Sequence, residues 1–311
     1  MLLPDVTDDA GLDAVRSDLE AFRPGLDVIC KRHRLSGERA AFEAGSLPVF
    51  ALGEELVVKL YEPRAPEDFT TESMILARLS GRLPVPAPEP LHEGELDGWR
   101  YLVMRRVEGV PLETLLDGAS EAERRRVGQR AGELVAALHA VSIAGVPTHS
   151  NDFAAFIARR VDEHVATHAA RGLGDPWLSR LRDAALTTPP MTTQAGLLHT
   201  ELGPGHLLAR RSEHGIELTG MIDFIDAMPG PPEYDFAAFA FFVARGDAVT
   251  WETFLDGYGW PADDCGSALR LRVMQHLLLH RFSSLQWMLS LRPPPEGTDT
   301  LAALEADWLV A

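Results

Sequence analysis

The chain has 311 residues, is 46% hydrophobic and 24% charged, and carries a formal net charge of −17 at pH 7. That length buries a substantial core, as one large domain or two lobes around a cleft, and the composition is that of a globular protein and not a disordered one. The negative balance excludes a broad nucleic-acid surface, which needs clustered Lys and Arg; it would draw in a cationic small molecule, although excess carboxylates also serve solubility alone.

Cys30 and Cys265 are too few for a disulfide framework in a chain of this size, which fits a reducing cytoplasm. The first residues, MLLPDVTDDAG, lack the basic segment and sustained apolar run of a signal peptide, and no stretch reads as a membrane span. The expectation is a cytoplasmic protein with neither a membrane nor a nucleic-acid partner.

In chain order, residues 8–35 read as helical: Leu12, Val15, Leu19 and Phe22 recur at helical spacing, and Pro24 marks a break before Leu26, Val28 and Ile29. This predicts a packing helix pair without chemistry. From Ala41 to Tyr61 the pattern changes to short β-rich runs around a turn at Gly53-Glu54-Glu55. Ala44-Gly45-Ser46 is poor in glycine, so as a phosphate cradle it relies on Ser46 and backbone N–H groups; a plain hairpin describes it equally well.

Lys59 is one of only two lysines, with Lys31, and sits inside an apolar strand between Val58 and Leu60. Such a lysine is ordinarily a snorkelling edge residue, but a compact ammonium is also what nucleotide α- and β-phosphates require. The next segment, Phe69-x-x-Glu72-x-x-x-Leu76-x-x-Leu79, has helical apolar spacing. Alone, Glu72 reads as an exposed helix residue; a strand lysine followed by a helix glutamate is the order of a kinase ion pair.

LPVPAPEPLHEG then imposes an extended connection through four prolines, and Trp99 to Val107 reads as a strand running into a short linker. Residues 120–141 form a helix opened by a Ser120–Glu123 capping box, with Val127, Ala131, Leu134 and Leu138 as its apolar stripe; His139 at its end reads as structural. Residues 145–190 read as mostly helix, interrupted between Gly172 and Pro176. Asp152, Asp162 and Glu163 there are acidic candidates to meet a cation, each more simply a solvated helix-face charge.

The stretch from Gly196 to Asp235 carries the chemistry. Leu197 and Leu198 form an apolar run, His199 to His206 a polar loop, and Leu218 to Ile222 a second strand that delivers Asp223. Glu201 and Asp223 thus stand at the ends of buried strands. Phosphoryl transfer uses this layout: one carboxylate faces the attacking hydroxyl and a second holds the metal that bridges the nucleotide phosphates. After Pro229, the run FAAFAFFVARG reads as a buried helix with Asp235 at its N-cap. The tail from Trp251 to Ala311 reads as helical, its aromatics more simply core than binding surface.

On these residues the chain resembles the aminoglycoside phosphotransferases and related small-molecule kinases, which share the protein-kinase fold and carry His-x-Asp, then Asn, then Ile-Asp-Phe. Here His199 and Ile222-Asp223-Phe224 match that pattern, with Glu201 and His206 at its Asp and Asn positions, and the resemblance runs from about Ala41 to Trp287. It implies an α+β, bilobal protein-kinase-like fold. A small β-rich N-terminal lobe, with the N-terminal helices and the nucleotide-binding sheet, would span 1–107 and end in a hinge. A larger, mostly helical C-terminal lobe would span 108–311.

The resemblance further implies Mg2+ as cofactor and ATP or GTP as phosphoryl donor, held by Ser46, Lys59, Glu72 and Asp223. At the hinge Met104 would back the adenine pocket, the Arg105 carbonyl would accept from the adenine amino group and the Val107 N–H would donate to the ring. Asp235 would brace the catalytic loop. Asp152, Asp226 and Glu233 would face the acceptor.

The chain departs from the family pattern twice, with Glu201 where the family has its catalytic Asp and His206 where it has its metal-binding Asn. With His199 and Lys59, these are the expected catalytic residues. Glu201 keeps the carboxylate on a longer arm, which demands a loop set back to match. Mg2+ prefers oxygen, so His206 is expected to be a weak ligand that hydrogen-bonds Glu201 or a phosphate oxygen, with Asp223 as the main protein ligand.

The function this implies is transfer of the γ-phosphoryl of ATP or GTP to a hydroxyl of a cationic antibiotic, such as an aminoglycoside or basic peptide antibiotic, conferring resistance, by a monomer or homodimer. A kinase of an amino-alcohol or sugar metabolite and a catalytically impaired, nucleotide-binding pseudokinase are the alternatives.

Overall fold

The computed structural model describes residues 1–189 and 195–309. Helices α1 (Asp9–Val15) and α2 (Leu19–His33) come first. The break between them falls at Asp18, whose carboxylate caps α2 by accepting from the Glu20 and Ala21 N–H groups, and not at Pro24. Pro24 lies inside α2, where Phe22, Leu26 and Ile29 stay buried on one face. The Phe22 ring meets Trp99 edge-on at 5.4 Å, and such packing outweighs the one N–H bond that a proline removes.

A five-stranded antiparallel sheet follows, built from β1 (Arg39–Ala41), β2 (Val49–Leu52), β3 (Leu56–Tyr61), β4 (Pro90–Leu96) and β5 (Trp99–Arg105) in the order β1-β2-β3-β5-β4. Helix α3 (Pro66–Leu79) connects β3 to β4 and packs on the sheet. The proline-rich connection bends at residues 83–85 and runs without regular structure to Glu89. From Pro90 it pairs with β5 as an edge strand, where a first-position proline forfeits no ladder bond.

The second lobe is mostly helical. Strand β6 (Val110–Pro111) and helix α4 (Glu113–Leu116) lead to α5 (Glu121–His139), which opens on the expected capping box of Ser120 and Glu123. Helices α6 (Phe153–Ala170) and α7 (Trp177–Asp183) follow. Residues 145–152 are not helical as expected, because Gly145 turns the chain at φ +76° and Asp152 caps α6 instead of extending it; 184–189 are not helical either. Pro190, the last residue of that expected stretch, and Val310 and Ala311 at the end of the tail lie outside the described residues.

Strands β7 (Gly196–Leu198), β8 (Leu207–Ser212), β9 (Gly215–Met221) and β10 (Met228–Gly230) frame the polar loops: β7 pairs with β10, and β8 lies between β6 and β9. Helix α8 (Glu233–Ala238) passes directly into a π-helix over Phe239–Ala244, which ends at Arg245 with φ +54°. The buried helix expected here is thus two helical forms in series. Asp235 lies within α8 and is not its N-cap.

Helices α9 (Ala248–Tyr258), α10 (Ser267–Leu279), α11 (Leu285–Leu291) and α12 (Leu301–Trp308) complete the chain. Helices α5 and α9 approach closely because Gly132 has no side chain: a Cβ there would lie 2.1 Å from the Phe254 carbonyl. Among the described residues, no helix is long and apolar enough to cross a membrane.

Candidate active site

Strand β3 pairs on one side with β2 and on the other with β5, so Lys59 is fixed mid-sheet opposite Val49 and Leu102. Its buried ammonium forms ion pairs with Glu72 of α3 at 2.6 Å and with Asp223 at 2.8 Å. Glu72 is also buried; it accepts from the Tyr61 hydroxyl at 2.7 Å and from the Phe224 N–H at 3.2 Å. The expected pair is therefore a triad that joins the sheet, its helix and the loop after β9. Burial opposes the charge on Lys59, but Asp223 and Glu72 outweigh it and raise its pKa. Burial likewise pushes the Asp223 carboxyl up, yet Lys59 and His206 hold it at about 2.

Asp235 organises the loop that carries Glu201. It is fully buried, and its two oxygens accept the backbone N–H groups of His199 and Thr200, each at 2.8 Å. His139 donates Nε2–H to it at 3.0 Å, and the other nitrogen of that ring accepts from the Tyr258 hydroxyl at 3.0 Å. Burial works to raise the Asp235 carboxyl, but the His139 hydrogen bond and the charges around it hold it below the usual range.

Thr200 and Asp223 both adopt left-handed backbone, at φ +71° and +69°. For a β-branched residue this is strained and persists only where its surroundings over-determine it. Thr200 is so determined: its N–H is on Asp235, its hydroxyl donates to the Asp226 carbonyl at 3.2 Å, and its own carbonyl accepts from His280 Nε2 at 2.6 Å. These bonds set the direction in which Glu201 leaves the loop.

His199 donates Nε2–H to the Ile222 carbonyl at 2.9 Å and accepts the Glu201 N–H on Nδ1 at 3.3 Å. Burial, helped by His206, holds its pKa down to about 4, so the ring is neutral and ties one loop to the other. His206 donates Nδ1–H to the backbone carbonyl of Glu201 at 2.7 Å. Its Nε2 lies 3.8 Å from Asp223 Oδ2.

Glu201, His206 and Asp223 each offer one donor atom, and these atoms lie within 4.8 Å of one another. Two carboxylate oxygens and one imidazole nitrogen, all half-buried, fit a divalent cation. Burial pushes the Glu201 carboxyl up to about 7, against the pull of His206.

The remaining expected residues are dispersed. Ser46 is exposed on the bend between β1 and β2. Met104 is buried, paired with Val57 and Pro90; the Arg105 side chain points outward to Glu89 at 2.8 Å; Val107 lies against Gly220 of β9. The three acidic residues expected to face an acceptor each have a partner within the protein. Asp152 caps α6, Glu233 is buried against Arg272 at 3.0 Å, and Asp226 pairs with Arg281 and with His149 at 3.1 Å. Each carboxylate is already engaged in a cap or an ion pair.

Thr200, His280, His139 and Tyr61 act in this site without a signal in the sequence. A cavity of about 550 Å³ opens beside Glu201 and His206, walled by Phe241 and Phe242 of the π-helix and by Trp287 and Met288 of α11. The close-set phenylalanines of FAAFAFFVARG, denser than one buried stripe needs, were its only trace.

The model of the APH family, described as "Phosphotransferase enzyme family", matches residues 38–270. Solved structures of similar fold include the GDP complex of wild-type aminoglycoside 2'-phosphotransferase-IIIa, at 20% identity and a TM-score of 0.67, covering 92% of this chain and 96% of that one. The GDP and kanamycin complex of APH(2")-IIia matches at 21% identity and a TM-score of 0.66, over 86% of this chain and 93% of that one. The macrolide 2'-phosphotransferase MphH from Brachybacterium faecium, without ligand, matches at 19% identity and 0.61, over 88% and 99%. At such identities the likeness shows the shared kinase-like fold, and the family match over most of the chain adds the rest: the protein belongs to the phosphotransferase enzyme family.

Proposed function

We propose that the protein transfers the γ-phosphoryl group of ATP or GTP to a hydroxyl of a small-molecule antibiotic and so confers resistance. The observation that carries this reading is that Glu201 belongs at once to the donor set with Asp223 and to the wall of the adjacent cavity. Nucleotide and acceptor would meet on its two sides.

Lys59, held by Glu72, presents its ammonium to the α- and β-phosphates. Asp223, with His206 and Glu201, would hold a divalent cation such as Mg2+, which when bound neutralises charge on the phosphates. Glu201 accepts the proton of the acceptor hydroxyl as its oxygen bonds to the γ-phosphorus and the bond to the β-phosphate bridge breaks. His199 is buried away from substrate and positions the loop, as Asp235 does. Met104, Arg105 and Val107 at the end of β5 would meet the nucleotide base, and Ser46 would cover the phosphates.

Purified protein with Mg2+ and ATP or GTP, offered aminoglycoside, macrolide and basic peptide antibiotics, should yield one acceptor heavier by one phosphoryl group. Asp223→Asn and Glu201→Gln should each remove that product. Nucleotide binding with no acceptor modified would refute the reading.

A further inference from the structure

We infer that the acceptor is a largely apolar, amphipathic hydroxyl compound with at most one ammonium group, and not a polycation. The inference rests on the phosphotransfer reading and narrows it.

The first argument is the wall. The cavity beside Glu201 has the size of a small-molecule site and is lined mostly by apolar and aromatic side chains. The π-helix supplies Phe241, which packs on Trp308 at 4.7 Å, and Phe242, which faces Trp287 at 5.4 Å. Both rings are thus fixed in the lining.

The second argument is the rim. Phe282, Trp287 and Leu291 are 44%, 51% and 52% exposed, and all three line this one cavity. Large apolar side chains left in water around a concavity mark a surface that an apolar ligand covers. The other exposed large apolar residues among those described, Met1, Leu2, Val110 and Leu271, line no part of this cavity.

The third argument is charge. Among the described residues of the lining, the carboxylates are Glu113 and Glu201, and the guanidiniums are Arg245 and Arg292. Glu201 is needed for the transferred proton, which leaves Glu113 alone to meet a cation. A polycation would desolvate several ammonium groups against aromatic rings and two guanidiniums, a loss that a single carboxylate does not offset. One ammonium beside Glu113, with the rest of the ligand on the rings, satisfies the site.

The test sets erythromycin, an apolar macrocycle with one amine, against kanamycin, a polyamine. Binding is read from Trp287 emission, taken as the difference between the wild type and Trp287→Phe, and transfer from product mass with ATP and Mg2+. Erythromycin should bind and gain one phosphoryl group, while kanamycin does neither. Trp287→Ala should raise the KM for erythromycin about tenfold and leave kcat nearly unchanged. Leu291→Asp, at an exposed position that tolerates a charge, should do the same should Trp287→Ala fold poorly.

Erythromycin binding without transfer would support the inference about the cavity and count against phosphotransfer. Kanamycin as the only compound phosphorylated would overturn the inference and leave phosphotransfer standing. No Trp287 response to either compound would overturn it as well.

Discussion

His206 donates its Nδ1–H to the backbone carbonyl of Glu201 at 2.7 Å, and that bond decides what the rest of the ring can do. A carbonyl only accepts, so Nδ1 carries a proton, and Nε2, 3.8 Å from Asp223 Oδ2, is the nitrogen that can offer a lone pair to a metal.

A bare imidazole nitrogen suits Mn2+ or Co2+ better than Mg2+. Calorimetry of metal binding to the nucleotide-loaded protein should show Mn2+ bound about tenfold or more tightly than Mg2+, and His206→Asn should narrow the gap. With Mg2+, transfer by His206→Asn should stay intact or improve. Complete loss of transfer in that variant, with its fold retained, would show that the ring is required for more than holding the loop and the metal.

Lys59 is buried between the buried Glu72 and the half-buried Asp223, so its removal leaves both without their cation. Lys59→Met should lower stability by about 3–5 kcal/mol and weaken nucleotide binding together. Urea unfolding and nucleotide titration on the same preparation check this. An unchanged midpoint would mean that Glu72 and Asp223 do not need the ammonium.

Asp235→Asn turns an amide NH2 toward donors that now share a carboxylate, because each oxygen already accepts a backbone N–H. The loop should shift, with a loss of about 1–3 kcal/mol in stability and about a hundredfold in kcat. The KM for nucleotide should hardly change, since Asp235 touches no phosphate-binding residue among its hydrogen-bond partners. A rise in KM with kcat preserved would contradict the positioning role.

Stability should fall on mild acidification. Burial holds His168, His199 and His280 down to about 4 and His276 to about 3. In the unfolded chain these rings take up protons from about pH 6.5 downward, whereas the folded state refuses them until near its own lower values. Their contribution is therefore full above about pH 6.5 and lost progressively toward pH 4. Burial raises the carboxyls of Asp68, to about 6, and Glu201, to about 7, and Asp226 raises His149; these pull the other way. At about 2 kcal/mol per histidine between pH 7 and 5, the four outweigh them, and urea unfolding should show a net loss of about 3 kcal/mol. A flat profile over that range would mean that these rings are solvated in the folded protein.

What the sequence disclosed follows from how local each cause is. The Lys59–Glu72 pair and the Ser120–Glu123 cap were legible because strand, helix and cap signals lie within a few residues of the groups they position. Thr200 was not, since a threonine gives no sign that its backbone is left-handed; that is imposed by Asp235, Asp226 and His280, which are distant in the chain. His139 read as structural, and its partner Asp235 is 96 positions away. Net charge did not reveal that Asp152 caps a helix or that Glu233 and Asp226 meet arginines. Pro24 misled for the same reason in reverse, its local cost being outweighed by packing on the sheet.

The π-helix over Phe239–Ala244 carries a consequence for how this protein diversifies. A π turn holds one residue more than the α turn it replaces, and each residue of an α-helix advances by about 100°. Deleting one codon within it would restore a continuous α-helix and swing Phe241 and Phe242 to new faces, while the loop from His199 to His206 kept its sequence. A single in-frame deletion is thus a genetic route to a rearranged acceptor wall over unchanged chemistry.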